Sequence, residues 1–456
     1  MPSIKYIILL CICLSVSPVV WGSTGLIVQT IVPAAGDAMV YGNTIAASIP
    51  SLGGSNSPGT TIYTKDSSGS WQLSQNLSVA GPLALSNSEL ILGNRTGALF
   101  QANPSIIYTS TGNGVWTEQA SLVAPDVTTC DWFGAAVAIG GDIAVVGALN
   151  HGGGAPDPFC HPGNGAAYVF QHDATGTWML AAELLPPPDQ STFDFGQMVA
   201  VSAGTVLVNA TNMQTASGET FVYTQVGGGS WALSSVLSGP DLFGSMAING
   251  DQIALQAEPL ADGYTPVSIF AQSAPGNWLL TQSLFGASIA ATGEPGQSFG
   301  SGIALSNSLL LVVADGDSTL CPPPIGPPSP CQTLVTQGGL YAYIPSAGQW
   351  QPVNVYAPAN MNLTALVGGV STDGVTAIVG APQGFAVMQL GNVPPGYVVV
   401  PSFQPAPSAG TSPNSPSPTP PKQTSPGSGG GGLGVVALVL LILLSQRRLW
   451  CSSETG

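Results

Sequence analysis

The feature that most constrains this chain is a spaced pair of aromatic residues that recurs six times. In each copy an aromatic residue is followed by a small-polar turn and then by Trp opening an apolar strand. The pairs are Tyr63/Trp71, Tyr108/Trp116, Phe170/Trp178, Tyr223/Trp231, Phe270/Trp278 and Tyr343/Trp350. Five of the six spacings are eight residues and the sixth is seven. Successive Trp residues lie 45, 62, 53, 47 and 72 residues apart, the length of a four-stranded repeat unit plus variable loops. Such a unit cannot bury its apolar faces alone, so the units must stack on one another.

A second landmark lies downstream of the Trp residues: Phe-Gly at the head of an apolar strand, at Phe133-Gly134, Phe195-Gly196, Phe243-Gly244 and Phe299-Gly300. Degenerate copies near Pro82-Leu83 and Ala38-Met39 lack it. One unit shows the strand logic. Residues 134–140 (GAAVAIG) form a near-continuous apolar run, as expected for an innermost strand, and a Gly-Asp turn at 141–142 leads into a second strand, 142–148. A third strand spans 166–170, and 178–185 alternates as a half-exposed outer strand. The glycine of Phe-Gly lets backbones crowd together, and Phe and Trp fill the wedge between units. With 59 Gly, 40 Pro and only 6% charged residues, the chain is all-β.

Trp116, Phe133-Gly134, Gly141-Asp142, Val145-Val146-Gly147-Ala148 and Gly165-Ala166-Ala167-Tyr168-Val169-Phe170 together resemble the FG-GAP repeat family, with a partial second match at residues 378–382. The resemblance covers about residues 25–391, and the chain is similar to the amino-terminal propeller of integrin α chains. It implies a seven-bladed β-propeller. Second strands starting near Thr44, Glu89, Asp142, Thr205, Asp251, Ser308 and Val375 give the same count. The seventh unit lacks a Trp-led outer strand, so residues 26–33 are expected to close the ring by pairing with it, which removes exposed sheet edges.

The two ends point to the secretory route. Residues 1–22 read as a signal peptide, with Lys5 ahead of an apolar run. The propeller ectodomain is expected over 23–400. Residues 401–432, with 22 Pro, Ser or Gly among 32, read as a stalk. A transmembrane helix with its core at 433–445 (span 429–445) follows, flanked by Arg447 and Arg448, and then a cytoplasmic tail, 446–456. The expected product is a single-pass type I cell-surface protein; a lipid anchor is the alternative. Disulfides are then the default, Cys130 with Cys160 and Cys321 with Cys331, and the sequons at Asn76, Asn94, Asn209 and Asn362 are candidate glycan acceptors.

A net charge of -16 with six Lys plus Arg excludes nucleic acid as a partner. Calcium loops of integrin-like propellers carry closely spaced carboxylates. The nearest approach here, Asp315-Gly316-Asp317, has two, so Asp315 and Asp317 are weak metal candidates and no cofactor is expected. His151, His161 and His172 lack metal-site spacing. No catalytic residue is assigned. Most acidic residues fall in loops at one face of the disc, here termed upper, where each unit's second-to-third-strand loop and its connection to the next unit lie. Asp157, Asp315 and Asp317 are the binding-face candidates. The expected function is non-catalytic recognition or adhesion toward an extracellular protein or glycan. The alternatives are a glycan hydrolase working through paired carboxylates and a passive coat protein.

Overall fold

The computed structural model describes residues 28–31, 37–49, 59–93, 103–112, 114–128, 130–153, 163–188, 192–215, 217–238, 245–258, 265–285, 299–314, 317–320, 332–335, 339–356, 369–381 and 384–390. Strand β1 (Val28–Ile31) comes first. Blade one is β2 (Ala38–Tyr41), β3 (Thr44–Ile49), β4 (Gly59–Lys65) and β5 (Trp71–Leu77). Blade two is β6 (Leu83–Leu85), β7 (Glu89–Leu92), β8 (Ser105–Gly112) and β9 (Val115–Leu122), and blade three is β10 (Phe133–Gly140), β11 (Ile143–Ala148), β12 (Ala166–His172) and β13 (Trp178–Leu184). Blade four splits its inner position between β14 (Thr192–Phe193) and β15 (Val199–Ser202), both paired with β16 (Thr205–Asn212), and continues with β17 (Ser217–Gln225) and β18 (Trp231–Ser238). Blade five is β19 (Met246–Asn249), β20 (Gln252–Gln256), β21 (Val267–Ala274) and β22 (Asn277–Leu284). Blade six is β23 (Phe299–Leu305) and β24 (Leu310–Ala314), then β27 (Gly339–Ser346) and β28 (Gln349–Tyr356). Between its halves lies a separate hairpin of β25 (Asp317–Leu320) and β26 (Gln332–Val335). Blade seven is β29 (Val370–Thr372), β30 (Thr376–Ala381) and β31 (Gly384–Gln389), with β1 as its fourth strand.

The inner strands form a closed cycle: β2 packs on β6, β6 on β10, β10 on β15, β15 on β19, β19 on β23, β23 on β29, and β29 back on β2. This is a seven-bladed β-propeller, with no α-helix among the described residues. The closing strand behaves as the sequence implies: β1 runs antiparallel to β31, Val28 opposite Met388 and Ile31 opposite Phe385. Lys65, the sole described cation, tightens the seam by donating to Gln389 Oε1 at 2.6 Å while lying over the Trp71 ring.

Second strands are buried along their length, as in β11 and β24, which is why they read as unbroken apolar runs. The outer strands do not simply alternate. Trp and the Leu six residues later are buried, while the three residues after Trp are exposed, in β5, β9, β13 and β22. The cause is a bulge in each outer hairpin, immediately before the aromatic residue of the repeat. The bulge leaves a third-strand carbonyl short of its ladder partner, and the hydroxyl of the extra residue supplies one: Ser74 donates to the Ile62 carbonyl, Ser234 to Val222 and Thr281 to Ile269. Adjacent blades are also clipped at their outer edges. Gln75 of blade one both accepts from the Trp116 amide and donates to its carbonyl, and Gln282 of blade five does the same for Trp350.

Closest to the axis, the Phe-Gly motif locks one blade to the one before it. Phe133, Phe195 and Phe299 are buried against third-strand aromatics of their own blades, Tyr168, Phe221 and Tyr341, with ring centroids 5.2–5.6 Å apart. The following glycines are left-handed, with φ of 86°, 90° and 97°. A Cβ on Gly147 would stand 1.9 Å from the Gly196 carbonyl oxygen, and one on Gly93 would stand 2.2 Å from that of Gly134. Blade six uses another solution: Gln256 of blade five fills the space beside Gly300 and donates to the Phe299 carbonyl at 3.0 Å.

Two measurements follow. Gly147→Ala is expected to cost roughly 2–5 kcal/mol, because blades three and four must separate. Gly141→Ala, in an open turn with φ of 65°, is expected to cost about 1 kcal/mol. Denaturant unfolding of the two variants should show this order. The second concerns Asp66 and Asp173, which fill equivalent outer turns. Each carboxylate accepts from the hydroxyl and amide two residues on and from the amide four residues on. Those bonds, the Ser68 and Thr175 hydroxyls foremost, hold both carboxyls below the usual Asp range. Their stabilisation is present above the unfolded pKa, about 3.9, and is lost as pH falls through the depressed folded value. The double variant Asp66→Asn/Asp173→Asn should therefore melt below the parent at pH 7, with the gap narrowing as pH falls below about 4.

Candidate functional site

The upper end of blade three gathers the densest set of ionisable side chains in the described structure. Asp126 and Asp131 come from the connection between β9 and β10, His151 from the β11–β12 loop, and Glu183 from the upper end of β13, opposite Tyr168 of β12. The loops are tied firmly. Asn150, buried, donates to the Cys130 carbonyl at 2.7 Å and accepts from the Gly163 amide, and the His151 carbonyl accepts from Gly165. Asp131 is 3% exposed and accepts from the Thr128 amide at 2.7 Å. The Thr128 side chain bonds it as well, and His151 Nδ1 lies 3.2 Å from it, while His151 Nε2 faces Glu183 Oε1 at 3.5 Å. The Tyr168 hydroxyl lies 3.3 Å from Nδ1. Ligand atoms of Asp126, His151 and Glu183 all fall within 4.8 Å of one another.

Electrostatics follow from this crowding. The hydrogen bond to Asp131 raises His151 above the usual histidine range, with Asp126 and Glu183 adding to it. Burial alone would raise Asp131, but His151 and Thr128 outweigh it and the carboxyl is lowered. Glu183 is raised, first by desolvation and then by the charge of Asp126. Desolvation and the same acids push the Tyr168 phenol far up, so it remains a hydroxyl donor at all physiological pH. Chemically, the arrangement is an imidazole held by a buried carboxylate on one nitrogen, with its other nitrogen facing two solvent-accessible carboxylates.

The sequence reading and this site overlap in part. His151, which lacks metal-site spacing in the sequence, lies in the fold beside Asp126, 25 residues upstream, and Glu183, 32 downstream, outside any local motif. Glu183 was missed because it sits in an outer strand read as packing. The available signal was the concentration of Asp, Glu and all three His of the chain within residues 116–184, in a chain only 6% charged. Asp131 and Asp194, both in upper loops where the sequence places most of the acids, are buried at 3% and 5%. Asp157 and Asp315 lie outside the described residues. Asp317 begins β25, away from the cluster in sequence and sheet. A second acidic feature, a shallow depression of about 420 Å3 between blades four and five, lies between Glu219 and Glu258 over Gly218, Leu237 and Ala257. A Gly-x-Ser-x-Gly spacing occurs at 296–300; residues 296–298 lie outside the described residues, and of the other two Phe299 is buried at the start of β23 and Gly300 is the blade glycine.

Cys130 is disulfide-bonded, and Cys160, Cys321 and Cys331 lie outside the described residues. So do Asn94, Asn362 and everything from residue 391 onward, including the expected stalk, membrane span and tail, as well as the expected signal peptide. Among the described residues no helix is long and apolar enough to cross a membrane.

Residues 116–170 match the family model described as FG-GAP repeat. Blade three is similar to an FG-GAP repeat over its first three strands. The match runs from the Trp116 strand through the third strand of that blade, so it contains Asp126, Asp131, His151 and Tyr168 and stops short of Glu183. No curated protein sequence matches the chain. Among solved structures, this chain is similar to the periplasmic gluconolactonase of Pseudomonas aeruginosa, at 14% identity over 73% of this chain and 88% of that one, TM-score 0.44. It is also similar to the acylaminoacyl peptidase of Pyrococcus horikoshii, at 10% identity over 75% of this chain and 48% of that one, TM-score 0.39.

One sequon is corrected by the fold. Asn209, in β16 beside the FG-GAP repeat, has no exposed surface; its amide donates to the Glu219 carbonyl at 3.1 Å and its oxygen accepts from Gln197 at 2.9 Å. A glycan there would have to replace a buried amide. Asn76 is exposed in β5. Glycopeptide mapping of protein secreted from a glycosylating host should find Asn209 unmodified and Asn76 open to occupancy; a glycan on Asn209 would contradict the placement of β16.

Proposed function

We propose that the protein is a non-catalytic cell-surface recognition or adhesion propeller that presents its acidic upper face to an extracellular protein or glycan. The observation that carries this reading is the set of acids at the upper ends of blades three to five, which no described Lys or Arg opposes there. Asp126, Glu183, Glu219 and Glu258 lie at the upper ends of blades three to five, whereas Lys65 is engaged in the lower seam between blades one and seven. An unopposed acidic face attracts cationic surfaces and repels acidic ones, which favours selection of a partner. The same reading includes a secretory signal at 1–22, disulfides Cys130–Cys160 and Cys321–Cys331, and a C-terminal membrane tether over 429–445 that leaves 446–456 in the cytoplasm. Cys321 and Cys331 stand one position beyond the paired Leu320 and Gln332, which supports the second bridge.

The hydrolase reading draws on one feature, the closeness of the Asp126 and Glu183 carboxylates at the rim. The two readings separate in one experiment. The full chain displayed on cells is screened against secreted proteins and glycans at rising salt, with glycosidase assays alongside. Recognition predicts saturable binding that weakens with salt and falls at least fivefold in Asp126→Asn/Glu183→Gln, with no turnover. Turnover abolished by the same pair of substitutions would overturn it.

A further inference from the structure

We propose that Asp126, His151 and Glu183 bind one divalent first-row transition ion, zinc being the best match, at the upper rim of blade three. The donor set is one imidazole nitrogen and two carboxylate oxygens, borderline and hard ligands that suit zinc and disfavour calcium, which takes oxygen alone. The three residues come from three separate segments, so only the folded blade assembles them. Donors at ordinary zinc distances and tetrahedral angles stand roughly 3.3–3.4 Å apart. His151 Nε2 and Glu183 Oε1 are already 3.5 Å apart, and Asp126, exposed on its loop, has only to swing within the 4.8 Å that spans the set.

The support behind the ligands is of the kind metal sites use. The buried Asp131 carboxylate lies 3.2 Å from His151 Nδ1, so the imidazole donates there and presents the Nε2 lone pair toward Glu183. Tyr168 stands behind the ring, edge to face, with centroids 6.0 Å apart. Three carboxylates face one imidazole, and no Lys or Arg lies near them among the described residues. A protonated His151 alone would bridge Asp131 and Glu183 and leave the cluster with a net charge of about -2; a dication neutralises what the protein does not.

Three protein ligands leave at least one position open to solvent on the face assigned to recognition. A carboxylate or imidazole of a bound partner would complete the shell. This role rests on the recognition reading; the binding of the ion does not.

The test uses the purified full chain, stripped with EDTA and titrated with zinc chloride by calorimetry, then with cobalt chloride for its visible absorption. The expected result is one ion per chain with a saturable isotherm, a rise in melting temperature with zinc, and cobalt bands of four- or five-coordinate intensity. His151→Gln, which can still donate to Asp131, and Glu183→Gln should each weaken zinc at least tenfold while melting near the metal-free parent. Asp131→Asn should weaken it about 10–100-fold without touching the ion. His172→Gln, the histidine stacked on Trp178 in the same blade, should leave it unchanged. No saturable binding, or binding unchanged in His151→Gln and Glu183→Gln with the fold intact, would overturn the site. If zinc fails to bind but a partner still responds to Asp126→Asn/Glu183→Gln, the recognition reading survives the loss of the metal.

Discussion

The ring depends on how closely one blade can approach the next, and from blade two to blade four that is set by a backbone contact between a carbonyl and a glycine. Where the Gly196 carbonyl presses onto Gly147, or that of Gly134 onto Gly93, no side chain fits. The Phe beside each carbonyl then drops into its own blade's core against Tyr168 or Phe221. The spacing of blades two, three and four, and with it the position of their upper loops, follows from this contact. The glycine richness that argues against helices is, at these positions, the condition for a tight ring.

Local determinants of the fold were legible because they repeat. Trp with its aromatic partner and Phe-Gly with its apolar run specify hairpins and inner strands from neighbours in sequence, and the start of every second strand lies within two residues of its expected place. The closing strand was readable from the one unit missing its outer Trp. The outer-strand bulge was not legible: it replaces simple alternation with three exposed residues in a row, and its signal, a hydroxyl three residues after Trp, is present in Ser74, Ser234 and Thr281 but replaced by Ala181 in blade three. The Gln75 and Gln282 clips were hidden for the same reason, since they act on a blade some forty to seventy residues away.

The site was legible only in its raw material. Asp126, His151 and Glu183 are too far apart in sequence to form a motif, and each alone reads as a loop or strand residue. The blade folds their segments back to one end, as it must when the second-to-third-strand loop, the outer strand's end and the preceding connection all meet there. Asp131 shows the converse: an acid in an upper loop is buried and spends its charge on orienting His151. Asn209 makes the same point, as a sequon whose side chain the fold has turned inward to satisfy backbone groups of its own blade.

The fold and the chemistry are linked because the glycine contact between blades three and four sits directly beneath the loop that carries His151: the Phe195 amide donates to Asn164, and Gly165 pairs with Phe195. The most direct measurement is an experimental structure of the full chain at a resolution that places carbonyl oxygens. The account predicts the Gly196 oxygen in the space a Cβ on Gly147 would occupy, and above it His151 held between Asp131 and Glu183 with Asp126 alongside. A side chain or solvent layer separating Gly147 from Gly196, or His151 turned out of the cluster while the ring is closed, would contradict it.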